Sequence, residues 1–312
     1  MVKDRILTKY IGEGKGPLLI VLGGMHGNEP AGVHAIELVT KMLEVEPITN
    51  PDFIYSGSFI GMIGNLQAYN KKKRFINVDL NRSMTKENVD YVKATPEDLL
   101  QDELLELKQI LEEVENAIEE LKPTKVIVLD LHTTSSFGGI FTLTNDRPES
   151  LAIAKELHAP VVLGMLNGVQ GTTLHLFNKE NFGIEMIPVT FESGQHNEQL
   201  SINRAIAAVI NCMRTIGSVS AKHVENQHDY LLIEYSKDLP HVSRLISKHT
   251  IQKGEKFVMN PGYKNFQEVK KEESIATTDG VPLLTPENGR ILMPLYQKQG
   301  EDGYFLIKSL KK

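Results

Sequence analysis

Hydrophobic residues in the first two thirds of the chain occur in short runs that alternate with segments of helical spacing. The strand-like runs are PLLIVLGG (17–24), FIYSGSFIGMI (53–63), KVIVLDLH (125–132) and MIPVTFES (186–193). The helix-like segments cover residues 31–44, 96–121 and 198–216. Because strands that alternate with helices usually form one layered sheet, this order predicts an α/β domain with a mostly parallel or mixed sheet.

The segment 96–121 has the most regular helical pattern. Its apolar residues repeat at intervals of three and four, which places them on one buried stripe: Leu100, Leu104, Leu107, Leu111, Val114 and Ile118. Thr95 is suited to cap this helix and Pro96 to occupy its first turn. The spacing therefore predicts a single helix over 96–121.

The pattern changes near residue 217. From DYLLIEYS (229–236) onward, short apolar runs are separated by Gly, Pro and Asp, which is typical of short strands joined by turns. The polar stretch GSVSAKHVENQ (217–227) is the expected boundary. We therefore expect a main domain over residues 1–217 and a smaller β-rich domain over 218–312.

Composition narrows the classes of function. The 312 residues include 34 basic and 40 acidic side chains, a formal net charge of −6, which argues against a nucleic-acid partner. A single cysteine, Cys212, cannot build a disulfide framework and fits a reducing compartment. Residues 1–10 lack the apolar core of a signal peptide, and no apolar run is long enough to cross a membrane. We expect a cytoplasmic protein without a membrane partner; whether it forms a homo-oligomer stays open.

Side chains suited to bind a metal ion follow two of the predicted strands. His26 and Glu29 lie in the turn GGMHGNEPAG (23–32), and His132 ends the run LDLH. Ligands of open α/β sheets bind beyond the carboxyl ends of the strands, and two histidines with one glutamate form a known hydrolytic zinc site. Asp130 lies two residues before His132 on the same strand face and can support it as a hydrogen-bond partner. Each stretch taken alone also fits an ordinary turn with polar side chains.

Two further stretches offer groups for catalysis and binding. Glu192 follows a third strand in VTFESGQ, where a carboxylate can activate water or cap the next helix. Asn81 and Arg82 follow an aliphatic stretch in VDLNR and offer a fork of donors to a carboxylate.

Four motifs in this order, HGNEPAG, RFINVDLNR, DLHTT and FESGQ, resemble the succinylglutamate desuccinylase/aspartoacylase family, a branch of the zinc carboxypeptidase clan. The resemblance spans residues 17–195 by motif and continues through the C-terminal region. It implies a zinc-exopeptidase-like central mixed sheet flanked by helices, with a smaller, barrel-like β domain at the C-terminus. It also implies an enzyme that removes a succinyl or acetyl group from a small N-acyl amino acid.

The same resemblance implies roles for particular residues. One zinc ion per chain would be bound by His26, Glu29 and His132, with Glu192 as the general base. Arg74 would polarise the scissile carbonyl, and Asn81 and Arg82 would bind the α-carboxylate of the substrate. For the pocket tyrosine of the family, Tyr304 is the first candidate and Tyr296 the second.

One departure concerns the acyl side of the substrate. Aspartoacylases are expected to have an arginine shortly before the strand of the general base. Here residues 164–183 contain no arginine, and His175 and Lys179 are the only cationic candidates in that stretch. Two alternatives to the deacylase hypothesis remain: a metallocarboxypeptidase that acts on peptides, and a metal-binding member of the fold without catalytic activity.

Overall fold

The computed structural model describes residues 2–224 and 227–310. Within this part of the chain the strands are β1 (Ile6–Ile11), β2 (Glu13–Gly23), β3 (Ser56–Ile63), β4 (Val126–Thr134), β5 (Phe141–Thr144), β6 (Val161–Leu163), β7 (Met186–Gln195), β8 (Val242–Thr250), β9 (Phe257–Met259), β10 (Glu268–Val269), β11 (Ser274–Thr278), β12 (Val281–Leu284), β13 (Gly289–Leu292) and β14 (Asp302–Ser309). The helices are α1 (Ala31–Thr49), α2 (Leu66–Lys71), α3 (Leu80–Ser83), α4 (Lys86–Ala94), α5 (Asp102–Leu121), α6 (Pro148–Glu156), α7 (Met165–Gly168), α8 (Thr173–Leu176), α9 (Lys179–Phe182), α10 (Leu200–Thr215) and α11 (Gln227–Ser236), with a 3₁₀ turn at Glu97–Leu99.

A large mixed sheet organises the molecule, in the strand order β1-β3-β2-β4-β7-β5-β6-β8-β14-β13-β10. Its centre, β3-β2-β4-β7, is parallel, so the carboxyl ends of these four strands lie at one edge. The strands β1 and β5 pair antiparallel with β3 and β7, which makes the sheet mixed. The predicted α/β fold with a central mixed sheet is confirmed.

The central strands are buried on both faces, which explains their nearly continuous apolar sequences. On one face, Leu19 and Val21 of β2 pack in a cluster with residues of α1 and α10. On the other face, Leu18 and Ile20 pack in a second cluster with residues of α5. Successive side chains of a strand point to opposite faces, so one apolar strand supplies both cores.

The C-terminal part is rich in β structure, as predicted. Three of its strands form a small sheet of order β12-β11-β9, while β8, β14, β13 and β10 extend the large sheet. The strand β8 pairs parallel with β6, so the main sheet continues past residue 217. The division into domains 1–217 and 218–312 stays a prediction, and its boundary stretch 217–227 includes residues 225 and 226, which lie outside the described residues.

The prediction of one helix over 96–121 is wrong at its N-terminal end. The helix α5 begins at Asp102, because Leu100 and Gln101 are extended. Thr95 ends α4 instead of capping α5, and the proline that follows it disfavours helical backbone there. Leu100 still reaches the core, at 5% exposure, from an extended segment.

The run DYLLIEYS (229–236), expected as a strand, lies in the helix α11. This helix packs against α10, and its Leu232 is fully buried. Short apolar runs have no periodicity that separates a strand from a buried helix, so the tertiary contact with α10 decided the outcome. No helix in the described ranges is both long and apolar enough to cross a membrane.

Candidate metal centre and catalytic cavity

Three ligand-type side chains converge at the carboxyl ends of β2 and β4, with His26 and Glu29 just after β2 and His132 near the end of β4. One ligand atom from each of His26, Glu29 and His132 lies within 4.8 Å of the others, and all three residues are buried. The carboxylate of Glu29 lies between the two rings: Oε1 is 2.8 Å from Nδ1 of His26, and Oε2 is 3.2 Å from Nδ1 of His132. The structure therefore brings together the three residues predicted to bind a metal ion.

The opposite nitrogen of each imidazole contacts a carboxylate. Nε2 of His26 lies 3.2 Å from Asp79, and Nε2 of His132 lies 2.8 Å from Asp130. Such outer carboxylates fix the tautomer and orientation of a metal-binding histidine and increase its basicity. Both Nδ1 atoms thus face Glu29 as donors to one ion, and this donor set fits a divalent cation such as zinc.

The turn that contains His26 and Glu29 depends on its glycines. Gly24 has a φ of +64°, in the left-handed region that favours glycine. A Cβ atom on Gly27 would lie 2.0 Å from the backbone carbonyl carbon of Ala68, so only glycine fits there. The irregular backbone therefore packs closely against the helix α2 while it directs His26 and Glu29 to one point.

The charged groups around His26, Glu29 and His132 favour the binding of a cation. Burial opposes ionisation of Glu29, yet the charge of His26 and hydrogen bonds from His132 and His26 hold its pKa well below the usual range. Burial also opposes protonation of His132, but the charge of Asp130 raises the pKa of His132 well above its usual value. Buried carboxylates thus outnumber permanent cations around the imidazoles, and a bound metal ion would supply the missing positive charge.

Glu192 lies near the carboxyl end of β7, directly across the parallel pair from His132. It is 6% exposed and lines the same cavity as the metal ligands. Burial, together with the charges of Glu29 and Asp130, raises the pKa of Glu192 to about 8 although His132 lowers it. Its Oε2 atom is buried without a hydrogen-bond partner among the described residues, so it is available to a substrate or water.

Arg74 lies beside the metal ligands in the loop after α2. Its guanidinium donates to Asp79 at 3.0 and 3.2 Å and approaches Glu29 at 3.5 Å. The loop is held by Glu103, a buried residue of α5. This carboxylate accepts hydrogen bonds from the side chain of Asn65 and from three successive backbone amides, at 2.7–3.2 Å: Ile76, Asn77 and Val78.

Asn81 and Arg82 reach the cavity from the short helix α3. The side-chain oxygen of Asn81 accepts a hydrogen bond from the backbone of Thr173 at 3.1 Å. Arg82 donates to Asp302 of β14 at 2.8 Å, and Lys248 of β8 donates to the other oxygen of Asp302 at 2.9 Å. The half-buried cations Arg82 and Lys248 thus share the single carboxylate of the buried Asp302, which leaves one positive charge in excess within this group.

The two candidate tyrosines do not line the cavity. Tyr304 is 4% exposed and stacks on His249, with ring centroids 6.1 Å apart, in the C-terminal cluster. Its neighbour Phe305 lines the cavity instead. Tyr296 is hydrogen-bonded through its hydroxyl to the backbone of Asn260 and Tyr263. Adjacent residues of a strand point to opposite faces of the sheet. A shift of one position therefore separates Phe305, which faces the cavity, from Tyr304, which packs in the C-terminal cluster.

The sequence analysis missed several residues of the site, among them Asp79, Glu103 and Gln297. Asp79 precedes the short helix α3, and the sequence pattern around it indicates only a helix cap. It does cap this helix, because its side chain accepts a hydrogen bond from the backbone amide of Asn81. Glu103 lies within the buried stripe of α5, where a charged residue at an apolar position was the available signal. Gln297 lines the cavity from the C-terminal part and accepts a hydrogen bond from Asn28 at 3.0 Å, with no local pattern that indicates it.

We expect Asp79→Asn to weaken metal binding by about 10- to 100-fold, the range for outer partners of metal-binding histidines. The substitution keeps the shape of the side chain but removes the charge that supports His26. Competition of the protein with a fluorescent zinc chelator measures the change. Asp90→Asn is the matched control, since the side chain of Asp90 is 62% exposed on α4. Equal affinity of the two variants for zinc would contradict a role of Asp79 in the metal centre.

Comparison with known proteins agrees with this geometry. The model of the succinylglutamate desuccinylase/aspartoacylase catalytic domain matches residues 15–216. A probable aspartoacylase from Acaryochloris marina is 29% identical over 150 residues, which are 46% of this chain and 45% of that protein. One from Nostoc sp. is 32% identical over 138 residues, 44% of this chain and 42% of that protein. The matched segments therefore span somewhat less than half the length of these two relatives.

Solved structures share the fold over nearly the whole chain. A succinylglutamate desuccinylase/aspartoacylase from Rhodobacter sphaeroides has a TM-score of 0.62 at 17% identity, covering 96% of this chain and 87% of that chain. Murine aminoacylase 3 has a TM-score of 0.61 at 16% identity, covering 95% of this chain and 96% of that chain. At such low identity these likenesses establish the fold.

Proposed function

Because the chain belongs to the succinylglutamate desuccinylase/aspartoacylase family, we propose that it is a zinc-dependent amidohydrolase that removes an acyl group from an N-acyl amino acid. One observation supports this proposal above the others: the metal-ligand set and the unpartnered oxygen of Glu192 share one cavity. Water would add to the acyl carbon, the C–N bond would break, and a carboxylic acid and a free amino acid would leave.

His26, Glu29 and His132 would hold one zinc ion per chain. A zinc ion in such a site lowers the pKa of water to about 7 and polarises a carbonyl group. Asp79 and Asp130 keep both imidazoles oriented toward the ion, since each carboxylate contacts the ring nitrogen that faces away from Glu29.

Glu192 would act as general base and then as general acid. Its free oxygen takes a proton from the attacking water and delivers it to the amino nitrogen as the C–N bond breaks. The carboxylate is therefore regenerated in each turnover. A general base must start ionised. Burial raises the pKa of Glu192 to about 8, and a divalent cation bound beside it would favour the ionised carboxylate by lowering that pKa.

Arg74 would stabilise the negative charge that develops on the carbonyl oxygen. Its hydrogen bonds to Asp79 hold the guanidinium beside the metal centre before the substrate arrives. Donors that are oriented in advance lower the barrier because they need no rearrangement during the reaction.

Asn81 and Arg82 would bind the α-carboxylate of the substrate. Asp302 occupies one terminal nitrogen of Arg82 and orients the guanidinium, which has further N–H groups to offer. Lys248 compensates much of the charge of Asp302, so Arg82 remains attractive to an anion.

The C-terminal part would close the cavity and restrict the enzyme to small substrates. Several of its residues line the cavity: Met293, Leu295, Gln297, Gly300, Glu301, Asp302 and Phe305. We therefore propose that residues 1–217 form a hydrolase domain and that the smaller β-rich domain, residues 218–312, excludes long peptides. This arrangement favours a deacylase over a carboxypeptidase.

We expect the purified protein to contain about one zinc ion per chain and to release amine from N-acyl amino acids. Amine detection with N-acetyl and N-succinyl amino acids and with tripeptides tests this directly. Stripping with a chelator should abolish the activity, and added zinc should restore it, because the ion activates the water. Turnover of tripeptides alone would indicate a carboxypeptidase, and full metal content without turnover would indicate a binding protein.

A further inference from the structure

One wall of the catalytic cavity is apolar. Met165, Val169 and Phe305 line it, and they are 4%, 6% and 2% exposed. The half-buried Leu143 and Met293 pack against the same cluster and also line the cavity. These five side chains form one continuous apolar wall. They come from β5, from α7 and the residue after it, from the residue after β13, and from β14.

Further apolar side chains extend the wall from two segments. Leu166 and Leu174 belong to the stretch before β7, and Leu295 belongs to the segment between β13 and β14. A cavity with one apolar wall and a few convergent polar groups binds the apolar part of a ligand on that wall.

Cations in the cavity are few and already have partners. Among the described residues that line it, the arginines are Arg74 and Arg82, and lysine is absent. Arg74 contacts Asp79 and Glu29 beside the metal ligands, and Arg82 is placed to bind one carboxylate. No further arginine or lysine of the described lining remains for a second carboxylate.

His175 and Lys179, the cationic candidates from the sequence, do not add a positive charge to the lining of the cavity. The imidazole of His175 is hydrogen-bonded to Thr172 at 2.9 Å, and the residue does not line the cavity. Burial lowers the pKa of His175, and the charge of Arg82 lowers it further. Lys179 is exposed at the start of α9 and also lies outside the lining.

Two acidic residues also line the cavity, and both lie near Arg82. Asp302 accepts a hydrogen bond from Arg82 at 2.8 Å, and the charge of Glu301 helps to raise the pKa of Arg82. Away from Arg82, a second carboxylate on the apolar wall would be an unpaired charge against apolar side chains, which is strongly disfavoured.

We propose that the substrate is an N-acyl amino acid with a single carboxylate, whose acyl group and side chain are otherwise uncharged and largely apolar. This inference rests on the proposed deacylase function and specifies its substrate class. The α-carboxylate binds at Arg82, the amide lies at the metal centre, and the apolar remainder lies on the wall around Val169 and Phe305. Dicarboxylic substrates such as N-acetyl-aspartate and N-succinyl-glutamate are excluded as preferred substrates.

Two matched pairs of substrates test the proposal with the zinc-loaded enzyme. N-butanoyl-leucine and N-succinyl-leucine have acyl groups of equal length and differ by a terminal carboxylate. N-acetyl-methionine and N-acetyl-glutamate differ in the same way in the side chain. We expect kcat/KM to be at least about tenfold higher for the uncharged member of each pair. A preference for the charged members would overturn the substrate class and leave the deacylase function intact, whereas no hydrolysis of any substrate at full zinc content would overturn both.

Substitutions of the wall connect the preference to its structural cause. Leu166→Arg places a cation on the half-buried edge of the wall and should raise the kcat/KM ratio of N-acetyl-glutamate to N-acetyl-methionine by about tenfold. Leu99→Arg adds the same charge at a residue that is 68% exposed and outside the lining, and it should leave the ratio unchanged. Met293→Arg, also at a half-buried lining residue, gives a second version of the test if Leu166→Arg does not fold. An unchanged ratio in a folded wall variant would show that the wall does not set the preference.

Discussion

Glu192→Gln is expected to lower kcat by about 10²- to 10⁴-fold while the protein keeps its zinc, because the substitution removes a proton acceptor and no metal ligand. The amide of glutamine has nearly the same shape and cannot take a proton from water. Steady-state turnover of an N-acyl amino acid and elemental analysis of the same preparation measure the two quantities together.

Glu37→Gln is the matched control for this variant, since the side chain of Glu37 is 47% exposed on α1. It should retain both turnover and zinc. Near-normal turnover of Glu192→Gln would show that another group accepts the proton. Loss of zinc from this variant would show that Glu192 belongs to the metal centre, and the division of roles between Glu29 and Glu192 would then be wrong.

The second large effect is expected for Glu29→Gln, which should lose the bound zinc and, with it, the activity. The carboxylate of Glu29 lies between the Nδ1 atoms of His26 and His132 and accepts the backbone amide of Thr133 at 2.9 Å. We expect zinc affinity to fall by more than about 100-fold, beyond the range for outer partners of a metal-binding histidine. Zinc content after gel filtration, with circular dichroism as a check of folding, measures this.

The two variants separate metal binding from proton transfer. Excess zinc should restore part of the turnover of Glu29→Gln, because its general base is still present, and it should not restore Glu192→Gln. A folded Glu29→Gln protein with full zinc content would show that Glu29 is not a ligand, and the metal centre would have to lie elsewhere.

The central strands were predictable because burial on both faces leaves nearly unbroken apolar sequence. The runs at 17–24, 125–132 and 186–193 correspond to β2, β4 and β7. Helix boundaries were less predictable: the apolar spacing continues through Leu100, although the backbone is extended there. The spacing of apolar residues indicates which residues are buried and does not fix the backbone conformation. An extended segment can also bury a residue that lies three or four positions from the next buried one.

The candidate metal ligands were also accessible from sequence, since each lies at or just after the carboxyl end of a strand of the parallel centre. His26 and His132 are more than a hundred residues apart, and they meet because β2 and β4 are neighbours in the sheet. The histidine partner Asp79 was missed, because its sequence neighbourhood indicates a helix cap and the contact with His26 spans two loops.

The sequence by itself determined the family, the alternation of strands and helices, and the residue types that can bind a metal ion or transfer a proton. The tertiary structure alone decided that Glu103 holds the loop of Arg74, that Asp302 pairs with Arg82, and that Phe305 rather than Tyr304 faces the cavity. The physical reason is range. Periodicity and turn chemistry act over a few neighbouring residues, whereas these contacts join elements whose proximity depends on strand order and on which face of a strand is turned inward.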